Sequence, residues 1–254
     1  MPSTFDEESL KAQSVAARTY AMAKILKYDE KRPESHPDAP LCDTTHCQAY
    51  KSEDKLIEIH EDGWEESGFK KVRKACEATE GELLYYDGEL VTQPLFFSSS
   101  GGQTENSEDV FTGAYPYLVS VSSPYEENAS HQNEEKEFSL EEIKTLLAKA
   151  YPDRTLVSVS ASSIEIISRT DGGRVEKMQV GEASFKGTEI RNALGLSSAL
   201  FSISFSGDGS RIIFTSDGFG HGVGLSQYGA DGMAKEGSGY KEILSHYYTG
   251  TEVH

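Results

Sequence analysis

Val157–Thr170, VSVSASSIEIISRT, is followed by Arg174–Val180, RVEKMQV, and further on by Arg211–Ser216, RIIFTS. Apolar and polar side chains alternate through these runs, the period of strands with one face toward a core. Between them Gly187–Leu196, GTEIRNALGL, reads as a short helix. Upstream, Phe138–Tyr151 has helical spacing, with Ser139 as its N-cap and Leu140, Ile143, Leu146 and Leu147 on one apolar face. The mixture predicts an α+β fold of helices and antiparallel strands. It is expected to be one compact unit of two lobes around a substrate cleft, residues about 1–125 and about 126–254. No internal repeat is present.

Toward the N-terminus, Thr4 and Glu7 make a T-x-x-E capping-box pattern ahead of a long helix, DEESLKAQSVAARTYAMAKILKY. Ala12, Ala16, Ala17, Ala21 and Ala23 permit close packing. Glu8, Lys11 and Arg18 share one side, either as a solvated charged edge or as a cleft edge where cations position Glu8. Lys31–Pro40 is a loop by composition. A second helix is predicted from about Gly68 to Thr79, with Cys76 in the core. Glu82–Leu90 reads as a hairpin turning at Asp87-Gly88, and Pro94–Phe97 as a short strand. Tyr125–Glu137 reads as an exposed connector. Helices from Tyr228 or Gly229 to Glu236 and from Tyr240 to Tyr247 close the chain.

A chain of 254 residues makes one large or two small domains, and 13 Tyr with 11 Phe speak for a globular core. The formal net charge of −18 argues against nucleic acid, whose phosphates would repel it. Three cysteines do not make a disulfide framework, although Cys42 and Cys47 are near enough to bridge if metal is absent. No run approaches the ~18 apolar residues of a membrane span, and no signal peptide is seen. The chain reads as the exported part of something longer.

Three stretches carry chemistry. His36, Cys42, His46 and Cys47 fall within HPDAPLCDTTHCQAY, and two thiols with two imidazoles are a tetrahedral set for zinc. The spacing is not that of a zinc finger, and a His/Cys-rich surface loop is the alternative. Asp38 and Asp43 are reserve oxygen ligands. The second stretch, GFGHGVGLSQYGA from Gly218 to Ala230, brings His221, Ser226 and Gln227 together on a glycine-rich backbone that can approach a ligand closely. The third is Ser98–Asn106, where Ser99, Ser100 and Gln103 line either a sugar-binding groove or a plain flexible loop. A Ser–His hydrolase is a poor reading of Ser226 and His221, because no nucleophile elbow accompanies them.

Five motifs in order, ESLKAQSVAARTYAM, HPDAPLCDTTHCQAY, FFSSSGGQTENSEDVF, GTEIRNALGLSSALFSI and GHGVGLSQYGADGMAKEGSGYKEILSHYYTG, resemble SpoIID, the stage II sporulation protein D family. The resemblance covers nearly the whole chain. It implies a peptidoglycan lytic transglycosylase acting during engulfment in sporulation. Such an enzyme cuts the MurNAc–GlcNAc bond without water, leaving 1,6-anhydro-MurNAc ends. It prefers denuded glycan strands, stripped of stem peptides by a SpoIIP-like amidase. Members act outside the cytoplasm, held by an N-terminal membrane anchor that this chain lacks.

The resemblance further implies zinc held by His36, Cys42, His46 and Cys47, in a structural role because four protein ligands leave no open position. Asp38 and Asp43 then stand behind the ligands. His221, Ser226 and Gln227 are implied in sugar binding and in orienting the acid, with Ser99, Ser100 and Gln103 as further contacts. Arg191 is a further candidate, or a core arginine paired with a carboxylate.

Since the nucleophile is the substrate's own C6 hydroxyl, one carboxyl serves as acid and then base, where ordinary glycosidases use two. In the family a Glu precedes the Met-Pro that matches Met1-Pro2 and is the implied acid. The sequence opens at Met1: either the acid lies one residue upstream of it, or it is supplied elsewhere, and among the residues present Glu8 is the catalytic residue expected. Without the upstream Glu the polypeptide is expected to be weakly active or inactive. The competing expectations are a non-catalytic, zinc-containing peptidoglycan-binding module and a zinc-dependent hydrolase such as an amidase.

Overall fold

A computed structural model describes residues 1–44 and 46–254. The elements in chain order are α1 (Glu7–Lys27), α2 (Glu53–Ile59), α3 (Lys70–Ala78), β1 (Leu84–Tyr86), β2 (Glu89–Leu90), β3 (Phe96–Phe97), α4 (Ser107–Val110), β4 (Glu134–Ser139), α5 (Leu140–Ala150), β5 (Ile164–Arg169), β6 (Val175–Val180), β7 (Ala183–Lys186), α6 (Gly187–Leu194), β8 (Phe201–Phe205), β9 (Arg211–Ser216), β10 (Leu225–Ser226), α7 (Gln227–Lys235), α8 (Tyr240–Tyr247) and β11 (Thr251–Val253). The fold is α+β, with helices and antiparallel sheets. Among the described residues no helix is long and apolar enough to cross a membrane.

The chain forms two compact units, one of residues 1–96 and 230–254, the other of residues 97–229. The C-terminal segment, residues 230–254, returns to the first unit. There β11 pairs antiparallel with β1, Leu84 opposite Val253 and Tyr86 opposite Thr251. The β1–β2 hairpin turns at Asp87 (φ 51°) and Gly88 (φ 78°), two left-handed residues whose twist matches the strands.

In the first unit α1 buries Leu10, Ala12, Val15, Ala16, Thr19, Tyr20 and Ala23. Its N-cap is Asp6, not the expected Thr4: Asp6 accepts the Glu8 N–H at 2.9 Å, a contribution of about 1 kcal/mol. Arg18 donates to the carbonyl oxygens of Thr79 and Cys76, at 2.7 and 3.1 Å, at the end of α3, where a cation meets the negative end of the helix dipole. Arg18 therefore braces a helix end and does not position Glu8. Cys76 is exposed, contrary to expectation. Ala75 takes the buried position, and one residue further around the helix the thiol reaches Ser14 Oγ at 3.2 Å.

In the second unit β4-β9-β8 and β5-β6-β7 are three-stranded antiparallel sheets. Ile143 and Leu147 of α5 and Ile190 and Leu194 of α6 pack with Met178, Phe185, Ile212 and Phe214 in one core. Ser139 caps α5 in a full capping box with Glu142. The expected connector is thus interrupted: Glu134–Ser139 is a strand on β9, and Glu126 is buried.

Candidate functional site

The His/Cys loop lies against α1 in the first unit. Gln48 Nε2 donates to Ala17 O at 3.1 Å, and Tyr28 Oη donates to Pro37 O at 2.7 Å. These bonds bring His36, Cys42, His46 and Cys47 together, with one ligand atom of each within 4.8 Å of the others. Cys47 Sγ is 3.2 Å from His36 Nε2. His46 Nδ1 is 3.7 Å from Cys42 Sγ and 3.6 Å from Cys47 Sγ. His36 Nδ1 meets Ala39 O at 2.8 Å, which fixes the ring and turns Nε2 toward the thiols. Neither thiol is in a disulfide.

The Thr44 hydroxyl, at 3.2 Å, and the Thr44 backbone lower the Cys42 thiol to about 6, so it is largely thiolate at neutral pH. Tyr20 of α1, which sequence reading did not single out, faces the cluster. Burial and then the negative charge of Cys47 raise its phenol to about 12. Two cysteine sulfurs and two imidazole nitrogens at these distances fit a closed tetrahedral zinc site. Asp38 and Asp43 are not in the cluster.

Glu8 lies in the first turn of α1. Lys11 Nζ sits 2.6 Å from Oε1, and Oε2 accepts the Tyr240 N–H at 2.9 Å. Burial pushes its carboxyl up, but the bonds from Lys11 and Tyr240 outweigh this and leave it below the usual range. Glu8 therefore holds its charge at neutral pH.

In the second unit the serine-glycine loop and the GFGHGVG loop are laced together. Ser99 and Phe219 exchange backbone hydrogen bonds at 3.2 and 2.9 Å, and Glu105 N donates to Gly222 O at 2.8 Å. Glu126 organises the join, although sequence reading passed over it. Its Oε2 accepts the N–H groups of Ser100 and Gly101 at 2.8 and 3.0 Å, and its Oε1 accepts the hydroxyls of Ser123 and Ser226. Ser99, Ser100 and Ser226 are fully buried. Their hydroxyls are turned to protein partners, so these serines shape the loops from within.

His221 and Gln227 are half-buried, as is Gln103, whose amide donates to Ser120 Oγ at 2.9 Å. His221 Nδ1 accepts the Val223 N–H at 3.1 Å, and its ring stands 5.4 Å from those of Phe97 and Phe111.

Arg191 does not make the expected carboxylate pair: among the described residues it has no ion pair, and burial followed by the charge of Arg174 lowers its pKa. The paired core arginine is Arg174, 3.3 Å from Glu105 Oε1, with further bonds to the carbonyl oxygens of Gln103 and Ser100. Burial raises the Glu105 carboxyl and lowers the Arg174 guanidinium, each opposed by the other's charge. Among the described residues Glu105 Oε2 and Arg174 Nε have no hydrogen-bond partner, so the pair is costly in desolvation and fixes the loops rather than adding much net stability.

A family model described as stage II sporulation protein matches residues 1–86, and a domain of unknown function matches residues 116–224. Over the whole chain the protein is 37% identical to stage II sporulation protein D of Bacillus subtilis and 35% identical to that of Bacillus amyloliquefaciens, covering 70% of each. It is 27% identical to the amidase enhancer of Bacillus subtilis, again along its whole length and covering 39% of that protein. The identity runs through both compact units, and this chain belongs to the stage II sporulation protein D family.

Proposed function

We propose that the protein is a peptidoglycan lytic transglycosylase of sporulation, acting outside the cytoplasm on denuded glycan strands. The end-to-end similarity to stage II sporulation protein D carries this reading. Partnership with a SpoIIP-like cell-wall amidase is part of the proposal, supported by similarity to a protein named for enhancing an amidase. In the full protein an upstream anchor would tie it to a membrane.

The reaction needs one carboxyl and a site that tolerates positive charge at the anomeric carbon. In this proposal Glu8 supplies the carboxylate. Held ionised by Lys11 and by the Tyr240 N–H, it suits the second half of the reaction: it takes the proton of the C6 hydroxyl and faces the oxocarbenium-like charge. Protonating the leaving oxygen first requires the substrate to loosen the Lys11 bond and desolvate the carboxyl, which raises its pKa.

His36, Cys42, His46 and Cys47 would hold zinc, whose part is to fix the loop against α1. No step passes through it. His221, Gln227 and Gln103 are the proposed sugar contacts; Ser100 and Ser226 support them through the buried Glu126, and Ser99 through its backbone pairing with Phe219. A second reading, a non-catalytic peptidoglycan-binding module, draws on the engagement of Glu8, which as a brace between α1 and α8 would need no chemistry.

The test is product analysis on denuded strands. A transglycosylase releases 1,6-anhydro-muramyl ends, an amidase releases stem peptides from intact peptidoglycan, and a binding module sediments with sacculi and yields neither.

A further inference from the structure

Three non-glycine residues between Tyr125 and Asn133 have left-handed backbone: Tyr125 (φ 70°), His131 (φ 63°) and Asn133 (φ 51°). A bulky residue adopts this conformation only where its surroundings hold it, and such strain concentrates at ligand sites. Tyr125 is held from both sides. Ser123 N donates to Gly102 O at 2.8 Å, and Ser123 Oγ donates to the buried Glu126 at 2.8 Å. The outcome is a tyrosine that remains 46% exposed.

Its side chain lines a concavity of about 290 Å³ together with Gly101, Gly102, Gln132 and Asp217. A methyl group added at Gly102 would meet nothing within 4 Å, so a flat ligand can lie against this backbone. Asp217 gives one oxygen to the Asn133 N–H at 2.7 Å, and Gln132 uses its amide N–H on Glu126 O. Among the described residues neither Asp217 Oδ2 nor Gln132 Oε1 has a hydrogen-bond partner.

An exposed aromatic face, two planar acceptors and a bare backbone are complementary to a pyranose, which has an apolar C–H face and an edge of hydroxyl donors. Glu127 and Asp217 line the groove and no Lys or Arg does, so a sugar bearing a carboxylate is repelled. We propose that this groove is a saccharide subsite for a neutral N-acetylhexosamine ring of the glycan strand, stacked on Tyr125 with its hydroxyls on Asp217 and Gln132. The proposal rests on the glycan-cleaving reading above and adds to it which sugar is recognised and where.

The test is calorimetric titration with a neutral N-acetylglucosamine trimer and, in parallel, an anionic hexuronic acid trimer, using the wild type, Tyr125→Gly and Tyr125→Phe. The neutral trimer should bind and the anionic one should not. Tyr125→Gly should lower affinity by about tenfold or more, while the melting temperature holds or rises because glycine adopts φ 70° without strain. Tyr125→Phe should stay within about threefold of wild type. Unchanged affinity in Tyr125→Gly, equal binding of the anionic trimer, or no binding of the neutral trimer each overturns the subsite. Product release from glycan strands by the wild type separates the two claims: cleavage without trimer binding removes the subsite alone, and loss of both removes the glycan reading.

Discussion

Glu8 Oε2 accepts the backbone N–H of Tyr240 at 2.9 Å, tying the first turn of α1 to the first residue of α8 across the two ends of the chain. The same carboxylate pairs with Lys11, so its structural and proposed chemical roles can be separated by substitution. Glu8→Gln keeps an acceptor for Tyr240 and loses the charge. Thermal melting should show a loss below about 1 kcal/mol, as for a partly exposed pair. Release of anhydro-muramyl ends should fall by about a hundredfold or more. Cleavage at the wild-type rate would leave Glu8 as a brace only.

Gly222 packs against the buried arginine. An added Cβ would lie 2.3 Å from Arg174 Cζ, and φ is +87°. Gly222→Ala should therefore cost about 2–4 kcal/mol in chemical denaturation, through overpacking and left-handed strain together. Gly207→Ala, with open space around it, should stay within about 0.5 kcal/mol. Equal effects at the two positions would contradict the placement of Arg174.

Arg154 holds Glu189 with both carboxylate oxygens, at 2.7 and 2.6 Å. These bonds, opposed by burial and aided by the Lys186 N–H, hold the Glu189 carboxyl below its usual value. A lowered folded-state pKa means that the stabilisation is complete above the unfolded value, ~4.3, and is lost as pH falls through the folded value. The stability gap between wild type and Glu189→Gln, read from urea unfolding, should be full at pH 7 and shrink by pH 3. A gap that is constant or grows toward acid would refute the pairing.

The His/Cys loop should hold about one zinc ion per chain by elemental analysis, and Cys42→Ser should hold clearly less. Chelation should lower the melting temperature, with activity lost in step with the loosening of the loop. Immediate loss of activity without any change in melting would instead mark an open, catalytic metal site.

The sequence showed most of the elements because their signals are local. Ser139 and Glu142 announce α5, Asp87-Gly88 announces its turn, and alternation announces β5, β6 and β9. Likewise the four residues that could hold a metal lie within twelve positions of one another. What it hid depends on contacts between distant positions. The return of β11 to β1 joins residues 251–253 to 84–86. The burial of Ser226 depends on Glu126, one hundred positions away. Tyr20 gives no local sign that it faces the thiols, and Cys76 and Ala75, adjacent in sequence, differ only in helical phase. An acidic stretch such as Tyr125–Glu137 reads as solvated unless the partners of each carboxylate are known, and Glu126 finds four, three of them in other loops.

The most direct test of the central claim is mass spectrometry of denuded glycan strands incubated with the protein. The account predicts fragments ending in 1,6-anhydro-N-acetylmuramic acid, with no uptake of solvent oxygen when the reaction is run in ¹⁸O-water. Fragments with ¹⁸O-labelled reducing ends would show hydrolysis and contradict it. Intact strands, even where the protein binds them, would contradict the transglycosylase reading in favour of a binding module.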